Sequence, residues 1–128
     1  MSAVSRLLLD THVFLWWRAN SPRLEHAARQ AIADAEVVFV SAATAWEAAI
    51  KVALGRLRIP ESIEAGVVDS GFAKLPISFA HAEAAASLPS LHTGPFDRML
   101  VAQARSEGLV LVTHDRRLRG YDVPILCT

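Results

Sequence analysis

Short apolar runs alternate along this chain with segments of helical periodicity. Arg6–Leu9, Val37–Val40 and Leu109–Val112 are continuous apolar runs typical of buried strands, Val123–Leu126 fits a last strand, and Lys74–Ile77 fits a further short one. Strands separated by helices predict a parallel sheet with helices packed on its faces. We therefore expect an α/β fold in which residues 1–128 form one domain, with a central parallel sheet flanked by helices.

The segments between these runs carry apolar residues at helical spacing. Helices are predicted over Thr11–Trp17, Arg23–Ala35, Ala42–Leu54, Glu61–Phe72, Phe79–Leu88 and Phe96–Glu107. Ser21-Pro22 is expected to cap the second of these helices, and Ser78 the fifth. Gly55 and Gly108 are expected to end the third and the last helix. The turn residues of Pro89–Pro95 predict a loop.

Charge and cysteine content exclude several classes of protein. The chain has 13 Lys and Arg against 13 Asp and Glu, which argues against binding nucleic acid by net charge alone but leaves room for a local basic patch. Cys127 is the one cysteine, so an internal disulfide and a cysteine-rich zinc site are excluded, and we expect it to have no functional role. No apolar stretch is long enough to cross a membrane, and Met1–Leu9 lacks the features of a signal peptide; we expect a cytoplasmic protein.

Four acidic residues stand beside apolar segments rather than in polar surroundings. Asp10 and Asp115 lie just beyond the carboxyl ends of two predicted strands, where ligands bind in open parallel sheets. Asp97 and Glu47 lie in the first part of two helices, on the faces that carry their apolar residues. Because these helices start at the same edge of the sheet, the four carboxylates are expected to converge.

Convergence of like charges is unfavourable unless a cation neutralises them. Ligands that are all oxygen suit Mg²⁺ or Mn²⁺, and no spacing of Cys or His here favours zinc. A metal ion in such a site activates water and neutralises charge on a phosphate. The pattern therefore favours hydrolysis of a phosphodiester.

Each acid also has a purely structural interpretation. Asp10 could cap the first helix, and Asp97 could favour the positive N-terminus of its own. Glu47 fits a capping box with Thr44 and an i,i+4 ion pair with Lys51. Asp115 could be a turn residue before Arg116.

At these residues the sequence resembles the PIN domain family, and within it the VapC-type toxin ribonucleases. The matching segments are LLLDTHVFLWW at 7–17, VSAATAWEAAIK at 40–51, GPFDRMLVAQA at 94–104 and LVTHDRRL at 111–118, with Tyr121 beyond them. The resemblance implies a central parallel sheet flanked by helices and a Mg²⁺- or Mn²⁺-dependent endoribonuclease. It also implies a cognate antitoxin protein that blocks the activity, and a homodimer.

Carried over by position, the resemblance gives a catalytic set of Asp10, Glu47, Asp97, Asp115 and Thr113. Asp10, Asp97 and Asp115 are implied to bind the metal, and Glu47 to help hold it or a second ion, so that a metal-activated water attacks an RNA phosphodiester. The hydroxyl of Thr113 is implied to orient a carboxylate or a water. Thr11 is a weaker candidate, and His114 receives no role.

Cations near the acids are needed to bind RNA phosphates. Arg98 adjoins Asp97, and Arg116 follows Asp115 with Arg117 and Arg119, so Arg98 and Arg116 are predicted to bind substrate. The alternatives are a solvated basic turn and, for Arg98, a pair with a carboxylate of the partner protein.

The tryptophans and histidines carry weaker signals. Trp16, Trp17 and Trp46 fit stacking platforms for bases but equally core or interface positions, and one of the adjacent Trp16 and Trp17 is expected to be exposed at a dimer or antitoxin contact. The histidines have no mutual helical spacing for a metal: they are His12, His26, His81, His92 and His114.

Two other functions fit parts of the pattern. Asp10 could be the nucleophile of an acid-phosphatase-like phosphotransferase, although that chemistry normally uses a second acid two residues on, where this chain has His12. Alternatively, the chain could be a catalytically inactive PIN-like module that binds RNA or protein.

Overall fold

A parallel five-stranded sheet forms the centre of the protein in the computed structural model, which describes residues 5–89 and 94–128. The strands are β1 Arg6–Leu9, β2 Val37–Ser41, β3 Ala73–Leu75, β4 Val110–Thr113 and β5 Ile125–Cys127. Their order across the sheet is β3-β2-β1-β4-β5. The predicted α/β fold is confirmed, and the short strand suggested near Lys74 is present as β3.

The central strand β1 pairs with β2 on one side and β4 on the other. Leu7 lies opposite Val38 and opposite Val110 in the two pairings. The chain thus adds strands to one side of β1 first and to the other side later. The carboxyl ends of β1 and β4 therefore lie together where the strand order reverses, which is where open parallel sheets bind ligands.

Helices cover both faces of this sheet. They are α1 Thr11–Arg18, α2 His26–Asp34, α3 Ala42–Ala53, α4 Ile63–Asp69, α5 Phe79–Ala86 and α6 Pro95–Glu107. A 3₁₀ helix spans Arg116–Gly120. Successive side chains of β1 point to opposite faces, so Leu7 and Leu9 pack in one core with α1, α2 and α4, while Leu8 packs in a second core with α5 and α6.

Two predicted helices begin later than expected. α2 begins at His26 instead of Arg23, because the Ser21 hydroxyl accepts from the Arg23 amide in a turn and Ser21-Pro22 does not cap the helix. α4 covers Ile63–Asp69 instead of Glu61–Phe72, since Ser62 caps it through the Ala65 amide.

Other predicted boundaries differ by a few residues. Gly55 and Gly108 follow α3 and α6 with φ of 72° and 69°, as expected of left-handed caps. Ser78 caps α5, and α6 begins at Pro95, so that residue belongs to the helix and not to the predicted loop. Residues 90–93 of that loop lie outside the described residues. Among the residues the structure describes, no helix is long and apolar enough to span a membrane.

Candidate active site

Asp10 is fixed where β1 meets α1. Its backbone amide donates to Val112 of β4 at 2.9 Å, and its Oδ1 accepts from the Val13 amide at 2.8 Å, which confirms the predicted N-cap. Its Oδ2 accepts from the Thr113 hydroxyl at 2.5 Å and from the His114 amide at 3.3 Å. Burial raises the pKa of Asp10, and these hydrogen bonds oppose that rise.

Glu47 lies on α3 and is held from two sides. The Thr11 hydroxyl donates to its Oε1 at 2.7 Å, and the Lys51 ammonium lies 2.7 Å from its Oε2. The predicted i,i+4 ion pair with Lys51 is confirmed. The capping box with Thr44 is wrong, because Ser41 caps α3 and the Thr44 hydroxyl lies 3.1 Å from that of Thr11.

Asp115 caps the 3₁₀ helix and binds an arginine of it. Its Oδ1 accepts from the Arg117 amide at 2.9 Å, and the Arg117 Nη2 lies 2.7 Å from its Oδ2. The Thr113 hydroxyl, which donates to Asp10, also accepts from the Asp115 amide at 3.0 Å. The Arg117 guanidinium holds the pKa of Asp115 below its ordinary value.

Asp97 differs from the other three acids. It lies in the first turn of α6 and has no hydrogen bond to its carboxylate from residues 5–89 or 94–128. Burial raises its pKa to about 6, and the carboxylates of Asp10, Glu47 and Asp115 add to the rise. The four acids are therefore close enough to repel one another.

All four carboxylates line one cavity of about 500 Å³ at the carboxyl edge of the sheet. Its walls comprise Asp10, Thr11, His12, Glu47, Lys51, Asp97, His114, Asp115, Arg116 and Arg117. The cavity combines the acids with three basic side chains. It can therefore accommodate both a cation and an anionic group.

The donor set suits a hard cation. Within residues 5–89 and 94–128, no three Asp, Glu, His or Cys side chains stand ready to enclose a metal ion, and Lys51 and Arg117 hold two of the acids instead. Yet burial and the three neighbouring carboxylates both disfavour the charged form of Asp97, and the available ligands are oxygens, which Mg²⁺ and Mn²⁺ prefer. A divalent cation that displaced these two ion pairs would neutralise that charge.

Arg98 does not line the acidic cavity, where a residue that binds the substrate phosphate would lie. Its guanidinium donates to the carbonyls of Ala85 at 3.0 Å, Leu88 at 2.9 Å and Pro89 at 2.8 Å. It thus closes the C-terminal end of α5, away from the acidic cavity, and neither predicted role fits this position. Arg116, in contrast, is exposed and lines the cavity.

The exposed tryptophan is Trp46, not one of the adjacent pair. Trp46 is 63% exposed on α3 and packs edge-on against Phe96, with ring centroids 5.3 Å apart. Trp16 and Trp17 are both half-buried against the core that contains α1, so the expectation that one of them is exposed is wrong.

Sequence reasoning missed how the acids are held. The i,i+4 spacing of Glu47 and Lys51 indicated their ion pair. It did not indicate that Lys51 also lines the cavity beside the other acids. The Thr11 and Thr44 hydroxyls meet across two helices, a contact that no local pattern reveals.

Comparisons with known proteins place this fold and site in a family. The PIN domain family model matches residues 7–124, and the chain belongs to the PIN domain family. It is 36% identical over 129 residues to Ribonuclease VapC22 of Mycobacterium tuberculosis (strain ATCC 25618 / H37Rv), a match that covers 94% of this chain and 95% of that protein.

Solved structures share the fold at low sequence identity. VapBC2 from Rickettsia felis, bound to a DNA fragment from its promoter, has a TM-score of 0.72 at 14% identity and covers 95% of this chain and 98% of that one. DNA-bound VapBC from Salmonella typhimurium has a TM-score of 0.69 at 20% identity and covers 97% of this chain and 98% of that one. These likenesses confirm the predicted PIN-like architecture.

Proposed function

We propose that this protein is a Mg²⁺- or Mn²⁺-dependent endoribonuclease that acts as the toxin of a toxin–antitoxin pair. The observation that carries the proposal is the meeting of Asp10, Glu47, Asp97 and Asp115 in one cavity, where burial and the neighbouring carboxylates raise the pKa of Asp97. Membership of the PIN domain family and the similarity to a VapC ribonuclease support the same activity.

In this proposal Asp10, Asp97 and Asp115 hold the metal ion, and Glu47 helps to hold it or a second ion. Once bound, the ion would supply an activated water and neutralise charge on the phosphate. The chain's own residues position these ligands. Thr113 fixes Asp10 through a 2.5 Å hydrogen bond and anchors the Asp115 amide, so one hydroxyl orients two of the acids.

The basic side chains of the cavity are placed to meet the substrate. Arg116 is exposed at its rim and would bind a phosphate of the RNA, as the sequence predicted. Lys51 and Arg117 would be released from Glu47 and Asp115 when a cation takes over those carboxylates. They would then add positive charge beside the phosphate.

A phosphotransferase with Asp10 as its nucleophile fits the structure poorly. Asp10 is only 6% exposed, and both of its carboxylate oxygens accept hydrogen bonds from the protein. A nucleophile needs an exposed oxygen that can approach phosphorus. The residue two positions on, His12, is exposed and supplies no second carboxylate.

The partners follow from the proposed class. Structural neighbours include a toxin–antitoxin complex from Klebsiella pneumoniae and VapBC complexes bound to DNA. We propose that a cognate antitoxin protein binds this chain and blocks its activity, and that the chain forms a homodimer.

Asp97→Asn tests the proposal directly. We expect the variant to lose RNA cleavage in Mg²⁺ or Mn²⁺ while keeping the circular dichroism spectrum of the parent. Asp34→Asn, an exposed acid on α2, is the matched control and should cleave like the parent. Mapping the 5′ ends of cut RNA would identify the target. Cleavage by Asp97→Asn at the parental rate would make the assignment of Asp97 wrong, whereas absence of cleavage by the parent would favour an inactive binding module.

A further inference from the structure

A second cavity of about 480 Å³ adjoins the acidic one and has no role in the proposed cleavage. It lies between α1 and the segment 57–63, and its walls are mainly apolar, with Phe14, Leu57 and Ile59 among them. Its volume falls in the range of about 300–1,000 Å³ that small-molecule sites occupy.

The two cavities share one wall residue and have aromatic rings between them. His12 lines both of them. The Trp16 ring, which lines the second cavity, lies 6.1 Å from the His12 ring and 5.0 Å from the ring of His114 in the acidic cavity, centroid to centroid. A ligand that leaves the acidic cavity past His12 therefore comes to Trp16.

The second cavity is positively charged. It is lined by Arg18, Arg23 and Arg58 and by one acid, Glu61. Arg18 is neutralised by Glu61 at 2.6 Å and by Asp69 at 3.0 Å. Arg23 and Arg58 are exposed and form no ion pair within residues 5–89 and 94–128, and the Arg23 guanidinium lies 5.9 Å from the centre of the Trp16 ring.

We propose that this second cavity is a nucleotide subsite, which holds the RNA nucleotide next to the cleaved phosphodiester. The inference rests on the proposed function and adds to it a site for the substrate. The base would lie in the apolar cavity against Trp16, and the adjoining phosphate would contact Arg23 and Arg58, a combination of aromatic and arginine side chains that suits single-stranded nucleic acid.

The position of the second cavity beside the acidic one favours RNA over a protein segment as the occupant. A strand whose phosphate lies among the four acids must extend from that point in both directions. On the side of His12, the next surface it meets carries the Trp16 ring and the guanidinium groups of Arg23 and Arg58, which have no ion pair with any described residue. These groups attract a polyanion that also has planar apolar bases.

The subsite can be tested by binding in an Asp97→Asn background, which the proposed mechanism makes unable to cut. The probe is a fluorescein-labelled single-stranded RNA that spans a cut site mapped with the parent enzyme, and the readout is fluorescence anisotropy. Arg23→Ala together with Arg58→Ala should weaken binding about tenfold, the scale of one stacked or paired contact. Arg56→Ala, an exposed arginine outside the cavity, should leave the affinity unchanged.

Removing a base from the RNA addresses the cavity itself. An abasic position beside the cut site should weaken RNA binding by Asp97→Asn about tenfold. It should weaken binding less when Arg23→Ala and Arg58→Ala are also present. Because Arg23 and Arg58 are exposed, their replacement by alanine is expected to leave the melting temperature unchanged.

Three results would overturn the subsite. Unchanged RNA affinity in the double variant, with no effect of the abasic position, would show that RNA does not enter the cavity. Unchanged RNA affinity with loss of inhibition by the antitoxin would assign the cavity to a protein segment. A parent chain that cuts no RNA would remove the proposed function and the subsite together, whereas the first two results leave cleavage intact.

Discussion

The carboxyl group of Asp97 shows how the charge of one residue depends on residues far away in the chain. In the unfolded chain it would ionise with its ordinary pKa of 3.8, and in the folded protein this pKa is raised to about 6. The folded state therefore binds the proton more tightly than the unfolded state. As a result, ionised Asp97 destabilises the metal-free fold above pH 6, and this cost disappears as the pH falls below 3.8.

We predict that Asp97→Asn stabilises the metal-free protein at neutral pH. The pKa difference corresponds to about 3 kcal/mol, which solvent screening of this half-buried group reduces to about 1–2 kcal/mol in the free energy of unfolding. Urea unfolding in EDTA at pH 7.5 should show this gain, and the gain should shrink towards pH 4.

Asp115→Asn provides a control of opposite sign. Its folded pKa is lowered by Arg117, so ionised Asp115 stabilises the fold at neutral pH, and Asp115→Asn should be less stable than the parent there. A stability gain for Asp97→Asn that does not vary with pH would contradict the electrostatic account.

Lys51 competes with a metal ion for Glu47. We predict that Lys51→Met binds Mn²⁺ about two- to fivefold more tightly than the parent, since the ion then no longer displaces an ammonium worth a few tenths of a kcal/mol or more. Isothermal titration with Mn²⁺ and no RNA measures this affinity. Lys74→Met removes a similar ion pair, with exposed Glu64 on α4, and should have the parental affinity; equal or weaker binding by Lys51→Met would argue against competition.

At the scale of helices and strands, the features that could be predicted from the sequence are those that depend on a local pattern of residues. Asp10 and Asp115 were placed correctly at the sheet edge because each follows an apolar run, and Asp97 because it opens an amphipathic helix. The direction of Arg98 was not predictable, because it depends on where the end of α5 lies in space. The start of α2 was misplaced because the Ser21 hydroxyl accepts from the Arg23 amide in a local turn. Serine favours both turns and helix N-caps, so the residue type alone does not show which of them it forms.

Arg98 links two helices, and its removal should affect stability and not substrate binding. Arg98→Met removes one donor from three carbonyls at the end of α5, and we predict a loss of about 1–3 kcal/mol in the free energy of unfolding. The Ala85 carbonyl still accepts from the Leu88 amide and the Pro89 carbonyl from the Tyr121 hydroxyl, so the Leu88 carbonyl is the most affected. Thermal and urea unfolding measure the loss, with Arg105→Met, an exposed arginine on the same helix, as the control. Unchanged stability combined with weaker RNA binding would return Arg98 to the phosphate-binding role.

At the scale of the whole molecule, the sheet separates two cores, and α3 contributes to both, with Ala48 in one and Ala43 in the other. Ile32 of α2 packs in the core that contains α1, and Leu100 of α6 packs in the core on the opposite face. Side chains that share no partners contribute to stability independently.

We predict that substitutions in the two cores are additive. Ile32→Val should cost about 0.5–1.5 kcal/mol and Leu100→Ala about 2–5 kcal/mol in the free energy of unfolding. The double variant should lose the sum within about 0.5 kcal/mol in urea unfolding. A clear departure from the sum would show that the sheet transmits packing changes from one face to the other.

The position of β1 has a consequence for synthesis of the protein. Asp10, which directly follows β1, leaves the ribosome long before Thr113, whose hydroxyl orients its carboxylate and which lies at the end of β4. Asp115 and Arg116 emerge later still. A nascent chain therefore cannot assemble the acidic cavity before residues 113–116 have emerged, so the proposed RNA-cutting centre stays incomplete up to that point of its own translation.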